Sequence, residues 1–115
     1  MNEMRALIDQ IDAFAKERDW DQFHTPKNLV MALSVEAAEL VEEFQWLTAE
    51  QSANLSDVKK ERVKDEIGDI LNYTLRLCSR LGIDPSLAVT DKIKKNAVKY
   101  PVEKSKGCMK KYNEI

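Results

Sequence analysis

Residues 56–82 read SDVKKERVKDEIGDILNYTLRLCSRLG, and their apolar spacing decides the fold class. Val63, Ile67, Ile70, Thr74, Leu77 and Leu81 recur every three or four residues, which is the period of one helix face. Ser56 is suited to accept a backbone N–H as N-cap, and Gly82 to end the helix in a left-handed turn. One long helix over 56–82 is therefore expected, the longest of the chain.

Working outward, Thr25-Pro26 opens an earlier helix, with Thr as cap and Pro at the first helical position. Its stripe is Leu29, Leu33, Ala37, Leu40, Phe44 and Leu47, and it is expected to end near Thr48, where Thr48-Ala49-Glu50-Gln51 has the form of a capping box for a short extra turn. Upstream, Leu7, Ile8, Ile11, Phe14 and Ala15 predict a first helix from about 3 to about 18, followed by an aromatic loop with Trp20, Phe23 and His24. Downstream, Asp84-Pro85 opens a fourth helix that carries Leu87, Ile93 and Ala97 until Tyr100-Pro101 ends it. A polar, lysine-rich tail follows. Leu75 lies about 120° or more from the Ile70 side of the long helix, and Met31 and Val35 lie outside the stripe of their helix, so these three are expected to offer apolar surface to another chain.

Composition agrees with an all-α, four-helix-bundle-like domain. A length of 115 residues allows one core, and 43% hydrophobic with 33% charged residues excludes both a disordered chain and a membrane span. Only three Gly and three Pro serve every turn, too few for a many-stranded sheet. With 18 Lys+Arg against 20 Asp+Glu, the overall charge favours neither duplex nucleic acid nor an anionic membrane. Asp9 and Asp12 interrupt the first apolar residues, so neither a signal peptide nor an anchor is read and a cytoplasmic location is expected. Cys78 and Cys108 form no CxxC and are expected to be reduced thiols.

The chemistry lies in two acidic pairs, Glu36-Ala37-Ala38-Glu39 and Glu66-Ile67-Gly68-Asp69. Each places two carboxylates three residues apart on a helix, close enough to share a cation. Glu36 lies about 40° from Leu40 and Glu66 about 40° from Ile70, with Glu39 and Asp69 about 60° further out on the same side. If the two helices pack antiparallel, as neighbours in a bundle usually do, those margins face each other; in a parallel pair they would not. Four carboxylates beside a partly dry interface repel strongly unless cations compensate them. An all-oxygen set suits Mg2+, with Mn2+ as substitute, better than zinc, and a di-iron bundle would need an ExxH pair that the only histidine, His24, cannot provide. Glu43 is in phase with Glu36 and open to a role as extra ligand, base or solvated charge.

These residues resemble the MazG-like and dCTP pyrophosphatase group of the all-α nucleoside triphosphate pyrophosphohydrolases. The ExxE and ExxD pattern matches at Glu36, Glu39, Glu66 and Asp69. The run from Arg18 to Leu29, RDWDQFHTPKNL, together with Phe44-Gln45-Trp46, is similar to the dCTP pyrophosphatase branch, and Lys92, Asn96, Lys99, Tyr100 and Pro101 resemble the closing K…N…KYP segment. The resemblance covers roughly 5–102, so residues 1–102 are expected to form the catalytic domain and 103–115 a tail outside it.

The resemblance implies hydrolysis of a nucleoside triphosphate between its α and β phosphates, giving the monophosphate and pyrophosphate, in a homo-oligomer that is a dimer or a tetramer. Glu36, Glu39, Glu66 and Asp69 would then hold two or more Mg2+ ions, and one carboxylate would take a proton from the attacking water. Lys92, Asn96 and Lys99, at i, i+4 and i+7, could hold the outgoing pyrophosphate. Trp20, His24, Trp46 and Tyr73 are the candidates for the base pocket, with Tyr73 about 20° from Glu66 around its helix. A pyrimidine deoxynucleotide such as dCTP is the substrate the aromatic loop suggests. A competing reading is a non-catalytic helical module whose acidic margin binds a basic partner.

Overall fold

The computed structural model describes residues 2–115, which are helical and contain no strand. The chain divides into two compact units, one ending at Ile83 and the other beginning at Asp84. The first holds α1 (Glu3–Glu17), α2 (Pro26–Phe44), α3 (Ala49–Ala53) and α4 (Asp57–Leu81). Both α1 and α2 pack on α4, the longest helix.

Each boundary has a local cause. The Thr25 hydroxyl accepts the Asn28 backbone N–H at 3.2 Å, and the Ser56 hydroxyl accepts that of Lys59 at 3.2 Å. Gly82 takes φ 68°, which lets the Ile83 N–H reach back to the Cys78 carbonyl at 2.9 Å. α1 uses the same device without glycine: Asp19 adopts φ 55°, and the Trp20 N–H returns to the Ala15 carbonyl at 3.0 Å. That turn points the chain into the aromatic loop, which Asn28 fastens to α2 by donating to the Phe23 carbonyl at 2.9 Å.

α2 stops at Phe44, four residues before the expected end. The reason is Thr48, whose backbone must be extended (ψ 165°) to cap α3 in a reciprocal box with Gln51. A second correction concerns Leu75, which was expected to face outward and is only 6% exposed. Because α4 is packed by α1 as well as by α2, it buries two faces where a single stripe was counted. Met31 and Val35 are 58% and 56% exposed, as expected.

The core within one chain is thin. Ile8 and Ala15 from α1, Leu29 from α2 and Leu75 from α4 are the buried hydrophobic side chains among the described residues. Leu29 is the most enclosed at 1% exposure, so Leu29→Ala is expected to destabilise the fold by about 2–5 kcal/mol. Urea unfolding followed by circular dichroism measures this, and a loss under about 1 kcal/mol would place the core elsewhere.

The second unit holds α5 (Pro85–Lys99), α6 (Val102–Ser105) and a 3₁₀ turn at Tyr112–Glu114. Asp84 caps α5 by accepting the Ser86 N–H at 2.9 Å. The last residues fold back on α5: the Tyr112 ring meets that of Tyr100 edge-on at 6.1 Å, and Lys99 Nζ lies 4.9 Å from its centre. None of the described helices is long and apolar enough to cross a membrane.

Candidate active site

The orientation of α2 against α4 follows from two contacts. Lys59 Nζ pairs with Glu43 Oε2 at 2.9 Å, and Glu36 and Glu39 meet Glu66 and Asp69, so rising numbers on α2 meet falling numbers on α4. The helices are antiparallel, and the two acidic margins face each other. One carboxylate oxygen from each of Glu36, Glu39, Glu66 and Asp69 lies within 4.8 Å of all the others. Glu43 stands apart from this quartet with an ion-pair partner of its own.

Glu36 and Glu66 are half-buried, and each has an Oε2 that is enclosed and receives no hydrogen bond among the described residues. Burial pushes the Glu36 carboxyl up to about 7 from an ordinary 4.5, helped by a hydrogen bond shared with Glu39 and by the charges of Glu39, Asp69 and Glu66. Glu66 is also raised, first by loss of hydration, then by hydrogen bonding to Glu39 and the charges of Glu39 and Asp69, while a bond with Glu36 opposes.

Enclosed, unpartnered carboxylate oxygens are an unfavourable arrangement for a protein alone and a suitable one for a hard divalent cation. Oxygens on opposite sides of one Mg2+ lie about 4.2 Å apart, so the observed spread is within a small side-chain adjustment of that distance. The donor set therefore fits such an ion.

The raised Glu36 value carries a signed consequence. Between about 4.5 and about 7 the folded chain binds a proton at Glu36 that the unfolded chain releases, so this group's contribution to stability falls as pH rises through that window. With chelator present, Glu36→Gln is expected to gain melting temperature relative to wild type from pH 4.5 to pH 7 and to change little above it. A constant difference across the window, in melts followed by circular dichroism, would contradict the coupling.

Beside the quartet opens a cavity of about 640 Å³. α1 contributes Leu7, Ile11 and Phe14, the loop Trp20 and His24, α2 Glu36, and α4 Asp69, Asn72, Tyr73 and Arg76. Two of the four carboxylates thus share one wall system with three of the aromatic candidates, Trp20, His24 and Tyr73. The Trp20 ring meets that of Phe14 edge-on at 5.7 Å and, tilted, that of His24 at 5.9 Å.

Trp46 is not in that wall; it lies on the turn after α2 with 87% of its surface exposed. Lys92, Asn96 and Lys99 belong to α5 in the second unit. Arg76, Asp12, Asp21 and Ser79 lie outside the candidates that motif and spacing pick out. Arg76 is buried, and its guanidinium donates to Asp12 Oδ1 at 2.7 Å and to Asp21 Oδ1. Ser79 donates to the other Asp12 oxygen at 2.6 Å. The signal was an arginine between Leu75 and Leu77, seven residues beyond Asp69 and so on nearly the same helix face.

Residues 31–115 match a sequence model of the MazG-like family. The chain belongs to that family. Over 104 residues the chain is 39% identical to dCTP pyrophosphatase 1 of Homo sapiens and 40% identical to that of Rattus norvegicus. These alignments cover 89% of this chain, and the chain spans 61% of the length of either relative. The crystal structure of a pyrophosphatase from Archaeoglobus fulgidus superposes with a TM-score of 0.83 at 40% identity, covering 88% of this chain and 94% of the other.

Proposed function

We propose that the protein is a Mg2+-dependent nucleoside triphosphate pyrophosphohydrolase that cleaves dCTP or a related deoxynucleotide to the monophosphate and pyrophosphate. The observation that carries this reading is the convergence of four carboxylates, two with unpartnered enclosed oxygens, at the edge of an aromatic-lined cavity. The names of the relatives, dCTP pyrophosphatase and pyrophosphatase, support the same chemistry.

Glu36, Glu39, Glu66 and Asp69 would hold Mg2+, two or more ions as the resemblance implies, with Mn2+ as a substitute. When bound, it supplies neutralising charge to the phosphate oxygens and lowers the pKa of water. The protein's own side chains do the rest. Trp20 offers a ring face on which a base can stack, and Tyr73 and His24 offer hydrogen bonds to its edge. Lys92, Asn96 and Lys99 present two ammonium groups and an amide suited to the outgoing pyrophosphate. All residues given a role lie within 1–102.

The exposed Met31, Val35 and Trp46 side chains favour a homo-oligomer, a dimer or a tetramer, in which Trp46 contributes from a subunit boundary. Light scattering measures the assembly. The activity is tested by incubating the protein with a panel of deoxynucleoside triphosphates, with and without Mg2+, and identifying the products. Pyrophosphate and monophosphate are expected only with Mg2+. Inorganic phosphate instead would indicate a different bond cleaved, and no product would favour a binding module with an acidic face.

A further inference from the structure

Arg76 does more than neutralise two aspartates. Its third kind of donor, Nε–H, points at His24 Nδ1 at 3.1 Å. A guanidinium has donors only, so the histidine nitrogen that faces it must present a lone pair. The neutral imidazole therefore carries its proton on the other nitrogen, Nε2. The backbone of His24 is held as well, because its carbonyl accepts from Arg80 Nε at 3.1 Å. Burial and the Arg76 charge, with a smaller contribution from Arg80, hold the imidazole below its usual value against the pull of Asp21.

The result is a histidine held at its backbone carbonyl by Arg80 and at its ring Nδ1 by Arg76, lining the cavity beside Trp20, Asn72 and Tyr73, with an Nε2–H that donates to none of the described residues. A fixed donor in a recess reads the chemistry of what enters. A base that turns a carbonyl or ring-nitrogen acceptor toward it gains a hydrogen bond, as the O2–N3 edge of cytosine would. A base that turns an amino group there sets two donors against each other and leaves both unpaired.

We propose that Arg76 is a positioning residue for substrate selection: by occupying His24 Nδ1 it locks the histidine as the Nε2–H tautomer, a hydrogen-bond donor for an acceptor edge of the nucleobase. This inference rests on the nucleotide reading above. Arg76 is supported in turn by Asp12 and Asp21, and Asp12 by Ser79, so the network extends from α1 through the loop to α4.

The chain has one histidine, so a long-range proton–nitrogen NMR correlation reports its tautomer without ambiguity. At neutral pH the wild type is expected to show the Nε2–H form alone, and Arg76→Lys, which lacks the planar fork, a mixture. Arg76→Lys is expected to raise KM for the preferred nucleotide about tenfold with kcat within about twofold, and to narrow the preference among bases. His24→Asn keeps an oxygen acceptor for Arg76 and loses the distal N–H, so it should raise KM similarly, and it carries the kinetic test if Arg76→Lys does not fold.

An Nδ1–H tautomer in the wild type would overturn the proposal. So would an unchanged KM and base preference in His24→Asn. Failure of the underlying reading is separate and visible: the wild type would release no pyrophosphate from any nucleotide in the panel, and the base-selecting role would fall with it even if the tautomer were as described.

Discussion

Glu39→Gln is expected to reduce turnover by about 10³-fold or more while leaving the helical content unchanged. Glu39 stands within the quartet, and its negative charge is among the causes that raise both the Glu36 and the Glu66 carboxyl. The amide keeps the length of the side chain and its helix propensity but removes one unit of negative charge, so the loss would fall on cation binding and not on folding. The same change relieves repulsion in the chelated protein. Glu39→Gln should therefore melt at a higher temperature than wild type in chelator, the reverse of what a fold-breaking substitution does. Steady-state kinetics and thermal melts on the same preparation check both halves. Full activity in this variant would remove Glu39 from the site.

Removing divalent cations is expected to have an effect as large. Chelation should abolish turnover, and returning Mg2+ should restore it and raise the melting temperature, because an ion that binds the folded state alone stabilises it by mass action. Mn2+ should substitute, while the all-oxygen donor set gives zinc no matching preference. The thermal gain should be greater above pH 7 than near pH 5, since Glu36 holds a proton that competes with the ion below about 7. Calorimetric melts at the two pH values measure the difference. An equal gain at both would separate the cation from Glu36.

Much of this architecture can be read from residue order because its decisive elements are local. Ser56, Thr25 and Asp84 cap the helices that follow them, and Gly82 ends α4, since a cap depends on three or four neighbouring residues. The facing of the acidic margins needed only the phase of two stripes and the antiparallel sense of neighbouring helices, and the quartet is where that reasoning puts it.

What was missed depends on a third partner. Leu75 is buried because α1 covers a face of α4 that a two-helix count leaves open. Arg76 is buried for the same reason, its charge met by Asp12, 64 residues away, and by Asp21, 55 residues away. No helical period links such positions. The aromatic residues divide in the same manner. Trp20 and Tyr73 face the cavity, one from the loop and one from α4, whereas Trp46 follows a helix that ends four residues earlier than its stripe suggests and stands exposed.

The central claim is that four carboxylates on α2 and α4 form one cation site. Paramagnetic broadening by Mn2+ in a backbone NMR spectrum tests it most directly, since the effect falls steeply with distance from the ion. Signals of Glu36, Glu39, Glu66 and Asp69 are expected to broaden first at substoichiometric Mn2+, and to be spared in Glu39→Gln/Asp69→Asn. Broadening centred elsewhere, or unaltered in the double variant, would contradict the account.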